Sequence, residues 1–119
     1  MEDLSAGDLA IAVSTDGDAI RLTWRGKSSD RHPGAVLGPY LALALSEAAA
    51  QSTRLELLFD ELEHFNSSTV TVLVQLIQDA RKRGAPLRFV YDSKLRWQKL
   101  SFEALKVFVN QGSFELCAK

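Results

Sequence analysis

Phe65-Asn66-Ser67-Ser68-Thr69-Val70 sets paired hydroxyls where an apolar run gives way to residues at helical spacing. A helix start carries unpaired backbone N–H groups and a partial positive charge, so it stabilises a phosphate ester on one of its first residues. Esterification adds roughly −1.5 to −2 charges and alters the exposed surface without melting the helix. That is the physics of a switch read by a binding partner. The plainer reading is that Ser67 or Ser68 only caps the helix, and the tripeptide alone leaves both open.

The surroundings add candidates for a protein contact. Asp60, Glu61 and Glu63 form an acidic cluster close to Ser67, readable as a solvated turn or as a partner-facing patch. Asp92-Ser93-Lys94-Leu95-Arg96-Trp97-Gln98 is expected to be a loop beyond a strand end. Trp97 there either lids the core or anchors a partner, since Trp and Arg are enriched in interface hot spots. His32 and His64 stand at no metal-ligand spacing, so no metal is expected. The sequence has no Gly-rich phosphate loop, no Gly-x-Ser-x-Gly elbow and no Ser-His-Asp ordering. A binding module without cofactor, rather than an enzyme, is therefore expected.

Composition narrows the partner. Fourteen Lys and Arg against fifteen Asp and Glu give a net charge of −1, which removes the bulk attraction that drives non-specific binding to nucleic acid. The 119 residues, 46% hydrophobic and 24% charged, suit one globular domain spanning 1–119. The acidic start Met1-Glu2-Asp3-Leu4 lacks the charge and apolar run of a signal peptide. No stretch approaches the ~20 apolar residues of a spanning helix. With a single cysteine, Cys117, these features lead to the expectation of a cytoplasmic protein without membrane insertion.

The elements that must position the junction follow from periodicity. Asp8–Ser14 and Ala19–Gly26 alternate about Asp16-Gly17, a β-hairpin signal. Lys27–Gly38 reads as a loop, and Val36, Leu37, Tyr40, Leu41, Ala44, Leu45 and Ala48 mark a helix over 36–51 with Pro39 in its first turn. Arg54–Asp60 has the continuous apolar character of a central strand buried on both faces, with Leu62 and Phe65 in the turn beyond. A second helix runs from the Asn66-Ser67-Ser68 cap to Arg81-Lys82-Arg83-Gly84, whose cations and glycine suit a helix end. Pro86–Tyr91 is a strand, Ser101 caps a third helix that stops at Asn110-Gln111-Gly112, and Phe114, Leu116 and Ala118 alternate in a last strand. The order β-β-α-β-α-β-α-β predicts an α/β domain: a mixed sheet with an N-terminal antiparallel hairpin and helices connecting the later strands.

This order, with Leu57-Leu58-Phe59-Asp60-Glu61-Leu62-Glu63-His64-Phe65-Asn66-Ser67-Ser68-Thr69-Val70, resembles the STAS domain of bacterial anti-sigma-factor antagonists over the whole chain. There a strand ends in an Asp-Ser-Ser/Thr-Gly-Leu motif ahead of the second helix. The resemblance implies a phosphoacceptor at Ser67, the hydroxyl after the position of the motif's Asp, with Asn66, Ser68 and Thr69 beside it at the partner contact, to which Asp60, Glu63 and Trp97 are added as the candidates read from their own residue types. It implies a GHKL-type serine kinase or anti-sigma factor as partner and a PP2C-type phosphatase to reset the switch. Asn66 stands where the motif has an acid; it keeps an acceptor oxygen and loses the charge. Thr69 stands where the motif has glycine and adds a β-branched side chain. STAS-like proteins also tune cyclic-nucleotide synthases or serve as accessory subunits of membrane transport complexes, and the resemblance extends to those roles.

Overall fold

The structure, a computed structural model, describes residues 1–109 and 112–119. The hairpin forms as its alternation requires. Strands β2 (Leu9–Thr15) and β3 (Ala19–Ser28) pair antiparallel, and Asp16 closes the turn by accepting the Asp18 and Ala19 amides at 2.8 and 3.1 Å. A three-residue strand, β1 (Leu4–Ala6), adds an outer edge on β2.

Helix α1 spans Gly34–Ala50 and so begins two residues before its expected start. Pro39 consequently falls in the second turn, where it has no N–H to give the Ala35 carbonyl. Strand β4 (Arg54–Leu58) then pairs parallel with the first half of β3. The turn expected at Leu62–Phe65 is instead strand β5, which pairs parallel with the far end of β3. A register shift between Gly26 and Lys27 lets one long strand serve both partners. Gly26 is required there: its φ is +84°, and a Cβ would lie 2.1 Å from the Asp8 carbonyl oxygen. β5 escaped the periodicity reading because Leu62 and Phe65 both turn inward with Glu63 and His64 exposed between them, which is not a two-residue alternation.

Helix α2 (Ser67–Arg83) ends at Gly84 in the left-handed conformation with Arg81, Lys82 and Arg83 in its last turn, as its residues predict. β6 (Leu87–Tyr91) follows, then helix α3 (Arg96–Glu103), a 3-10 turn over Ala104–Phe108, and β7 (Phe114–Ala118). The start of α3 corrects the expected loop and the expected Ser101 cap. Its N-cap residue is Leu95, with no side-chain capping bond, so the usual polar signal is missing. The expected stop at Asn110-Gln111 lies outside the described residues.

The sheet order is β1-β2-β3-β4-β6-β7, with β5 beside β3. Because β3, β4, β6 and β7 are parallel and step one way across the sheet, connections of a single hand place every helix on the same face. Leu55, Leu57, Phe89 and Trp24 are buried on that face with Leu41 and Leu45 of α1 and Leu73 and Ile77 of α2. Aromatic rings run through this core from Trp24 to Phe59 (5.1 Å), on to Phe102 (4.7 Å) and then to Phe65 (5.4 Å). β4 is central, but it is not covered by helices on both faces. On the opposite face Glu56 is buried, at 7% exposure, by the side chains of Arg21, Arg54 and Arg88 converging on its carboxylate at 3.6, 2.9 and 3.8 Å.

Candidate functional site

The start of α2 lies where β5 leaves the sheet, and Asn66 wires it in place. With extended backbone angles (φ −93°, ψ 173°), Asn66 is the N-cap. Its Oδ1 accepts the Thr69 amide at 2.9 Å and the Thr69 hydroxyl at 2.7 Å. Its Nδ2 donates to the Asp30 carbonyl at 2.7 Å, and its backbone N–H donates to the Ser28 carbonyl at 3.0 Å. One carboxamide thus caps the helix and pins the β3–α1 loop. A carboxylate could do only the first, because it has no proton to give Asp30.

Thr69 is fully buried, and its Oγ1 lies 2.7 Å from the Ser28 hydroxyl. Since the Thr69 proton goes to Asn66, Ser28 donates to Thr69, and the three side chains form a relay in which each bond polarises the next. The expectation that Thr69 faces a partner is therefore corrected. It is the floor of the junction, and the hydroxyl that a glycine would lack joins β3 to α2.

Above this floor the other residues are presented outward. Ser67, the first residue of α2, is exposed and Ser68 is half-buried. No acidic residue stands in the first turn, and helical geometry provides no intrahelical acceptor for the Ser67 and Ser68 amides. An anionic ester on Ser67 would meet unopposed dipole and donors. Asn66 itself is half-buried.

The acidic cluster is divided rather than focused. Asp60 accepts from Lys119 at 2.8 Å, a bond that raises the Lys119 pKa, and Glu61 pairs with Arg25 at 3.1 Å. Glu63 is exposed on β5 four residues before Ser67. Trp97 is half-buried on α3, edge-on to Phe65 at 5.3 Å and 6.5 Å from the His64 ring. One edge of it closes the aromatic core, as the first of its two readings expects, and the rest stays at the surface beside β5.

The residue that periodicity missed is Gln98. It is fully buried, its amide donates to the carbonyls of Phe59 and Leu62 (3.1 Å to the latter), and its oxygen accepts the Asp92 amide at 2.8 Å. It satisfies the backbone where β4 breaks before β5, and so fixes the strand that carries Glu63 and leads to Ser67. The available signal was the spacing Gln98, Phe102, Leu105: a polar residue on the apolar stripe of a helix.

No protein-family model matches the sequence, and none of the curated proteins matches it. Solved structures do. The crystal structure of apo-SiaC from Pseudomonas aeruginosa is 22% identical, with a TM-score of 0.67 over 100% of this chain and 99% of that one. A chain in the crystal structure of the diguanylate cyclase SiaD in complex with its activator SiaC, also from Pseudomonas aeruginosa, is 21% identical, with a TM-score of 0.64 over 98% of this chain and 96% of that one. A DUF3478-family protein with a SpoIIAA-like fold from Shewanella loihica PV-4 is 16% identical, with a TM-score of 0.51 over 95% of this chain and 89% of that one. The mixed sheet, its antiparallel N-terminal hairpin and its helix-connected parallel strands are thus those of the SpoIIAA-like fold, and the chain is STAS-like in architecture.

Proposed function

We propose that this chain is a regulatory protein-binding module, switched by phosphorylation of Ser67, whose target is a nucleotide cyclase. The observation that carries the reading is the contrast at the start of α2: an exposed Ser67 hydroxyl stands on a base tied down by Asn66, Thr69 and Ser28. A rigid base lets added charge change affinity rather than fold. The cyclase is the preferred target because SiaC, similar in fold, is an activator of a diguanylate cyclase. A sigma-factor circuit, with a GHKL-type kinase that doubles as anti-sigma factor, is the second reading and is favoured by the SpoIIAA-like architecture. In either circuit a serine kinase charges Ser67, a PP2C-type phosphatase clears it, and Asn66, Ser68, Glu63, Asp60 and Trp97 frame the contact.

The test is a binding titration against a diguanylate cyclase and a GHKL-type kinase encoded in the same genome, using wild type, Ser67→Ala and Ser67→Asp. Ser67→Ala should bind as wild type, and Ser67→Asp should lose at least tenfold in affinity while melting normally. Phosphopeptide mapping after kinase treatment should find the phosphate on Ser67. Equal binding by all three proteins, or phosphate on Ser68 alone, would remove Ser67 from the mechanism. Trp97→Ala should also weaken the complex, by about 2 kcal/mol if it acts as a hot-spot aromatic.

A further inference from the structure

The face of the sheet that no helix of the described residues covers carries an ordered pattern set by strand register. One row across the strands reads Arg21, Glu56, Arg88, Glu115 on β3, β4, β6 and β7. The next row, two residues further along each strand, reads Thr23, Leu58, Val90, Cys117, with Ala12 of β2 at its end. Every residue of this second row is half-buried rather than covered. A strip of small and apolar side chains therefore lies beside a line of charges that alternates plus, minus, plus, minus.

We propose that this face is the contact between two copies of the chain, related by a two-fold axis parallel to the strands and passing between β4 and β6. Such an axis reverses strand order in the second copy. Arg21 then faces Glu115 of the second copy and Glu56 faces Arg88, so all four opposed pairs in the row are of opposite sign. In the apolar row the same operation sets Leu58 on Val90 and Thr23 on Cys117. An axis running across the strands and centred on the charged row would instead set Arg21 on Arg21 and Glu56 on Glu56, placing like charges together. Charge order thus selects the second copy as occupant and selects its orientation, and the result is the aligned packing that twisted sheets favour. The four strands that overlap about this axis, β3, β4, β6 and β7, about 4.8 Å apart and about 17–20 Å long, offer roughly 700 Å² over both copies, which is below a standard specific interface and in the range of weak, transient contacts. Association should accordingly be of micromolar strength or weaker. Because the helices lie on the other face, the dimer would hold two Ser67 junctions outward and could bring two target molecules together.

The experiment is light scattering on the full chain from about 10 µM to 1 mM, paired with thiol cross-linking. Wild type should shift from monomer to dimer over that range. Val90→Arg, which sets a cation from each copy against Leu58 of the other at the centre, should raise the dissociation constant at least tenfold with an unchanged melt. A short bis-maleimide should join Thr23→Cys into covalent dimers through Cys117 of the other copy, and should leave wild type uncoupled, because the two Cys117 residues lie on opposite flanks of the interface. A wild type monomeric at 1 mM, a Val90→Arg protein that associates normally, or wild type cross-linked as well as Thr23→Cys would each overturn the proposal.

Discussion

The start of α2 and the uncovered face of the sheet are both polar surfaces, yet they are satisfied by opposite means. At the junction, neutral groups do the work: Asn66, Thr69 and Ser28 saturate one another and the backbone through bonds of 2.7–3.0 Å. On the sheet face, charges from four strands do it, with Glu56 held among three guanidiniums and Arg88 reaching on to Glu115 at 3.0 Å. A neutral network keeps its geometry when a charge arrives next to it. An ionic row does not, because every added charge repels one sign of its members. The difference suits the first surface to the phosphoacceptor proposed at Ser67 and the second to constant, shape-keeping contacts.

Removing the centre of the ionic row should have the largest effect. Glu56→Ala leaves three guanidiniums around an empty position and should cost about 3 kcal/mol, the lower end of the range for breaking a buried ion pair, because the arginines can still reach water. Urea unfolding should show the midpoint falling at constant m-value. Should Glu56→Ala prove neutral, the row would be surface decoration, and the contrast with the junction would fail.

Cutting the neutral relay comes second. Thr69→Ala orphans the Ser28 hydroxyl and one lone pair of Asn66 in the interior and should cost about 2 kcal/mol. Thr69→Ser, which keeps the hydroxyl, should recover most of that loss. Recovery by Thr69→Val instead would mean that packing, not the hydrogen bond, holds α2 to β3.

Asn66→Asp sharpens the comparison further, since it restores the acid that the STAS motif carries. Its charge is favourable at a helix start by about 0.3–1 kcal/mol, but it sets a carboxylate oxygen against the Asp30 carbonyl and loses a donated bond. The net expectation is a loss of about 1 kcal/mol, together with faster amide exchange in the β3–α1 loop around Asp30. Unchanged exchange there would show that the carboxamide does not pin the loop.

The smallest effect is a pH response confined to the ionic side. Asp16 binds Arg21, which also faces Glu56, and this bond with the Asp18 and Ala19 amides lowers the Asp16 pKa to about 2. A depressed acid contributes stability that is complete above its unfolded pKa, near 4, and is lost as pH falls towards 2. Carboxyl NMR titration should find Asp16 still charged at pH 3, while the hydroxyl relay at Asn66 and Thr69, with nothing to titrate, should stay unchanged over the same interval. An Asp16 midpoint near 4 would break the link between the turn and the row.

Local signals were sufficient wherever a residue's structural role is played out within a few neighbours. The hairpin follows from alternation about Asp16-Gly17, the end of α2 from Arg81-Lys82-Arg83-Gly84, and the exposed position of Ser67 from the Asn66 cap and the apolar spacing that begins at Val70. Signals failed where the partner is distant. Thr69 appeared to be a surface residue because nothing within four positions needs its hydroxyl except Asn66; its other partner, Ser28, is 41 residues away. Gln98 serves carbonyls 36 and 39 residues back, so the helix that presents it could not be capped or bounded by local chemistry.

By itself, then, the sequence determined the hairpin, the three helices, the order in which β4, β6 and β7 alternate with them, and the placing of Ser67 at a helix start, though not β1 or β5, because propensity, capping and hydrophobic period act over one or two turns of chain. The tertiary structure alone decided which strands are neighbours. That decision sends all the helices to one face, leaves the other bare, and brings Arg21, Glu56, Arg88 and Glu115 into a single row. Alternation states that these residues point away from the apolar side of their own strands, but only strand order, set by burying all the apolar faces together, states what stands beside them.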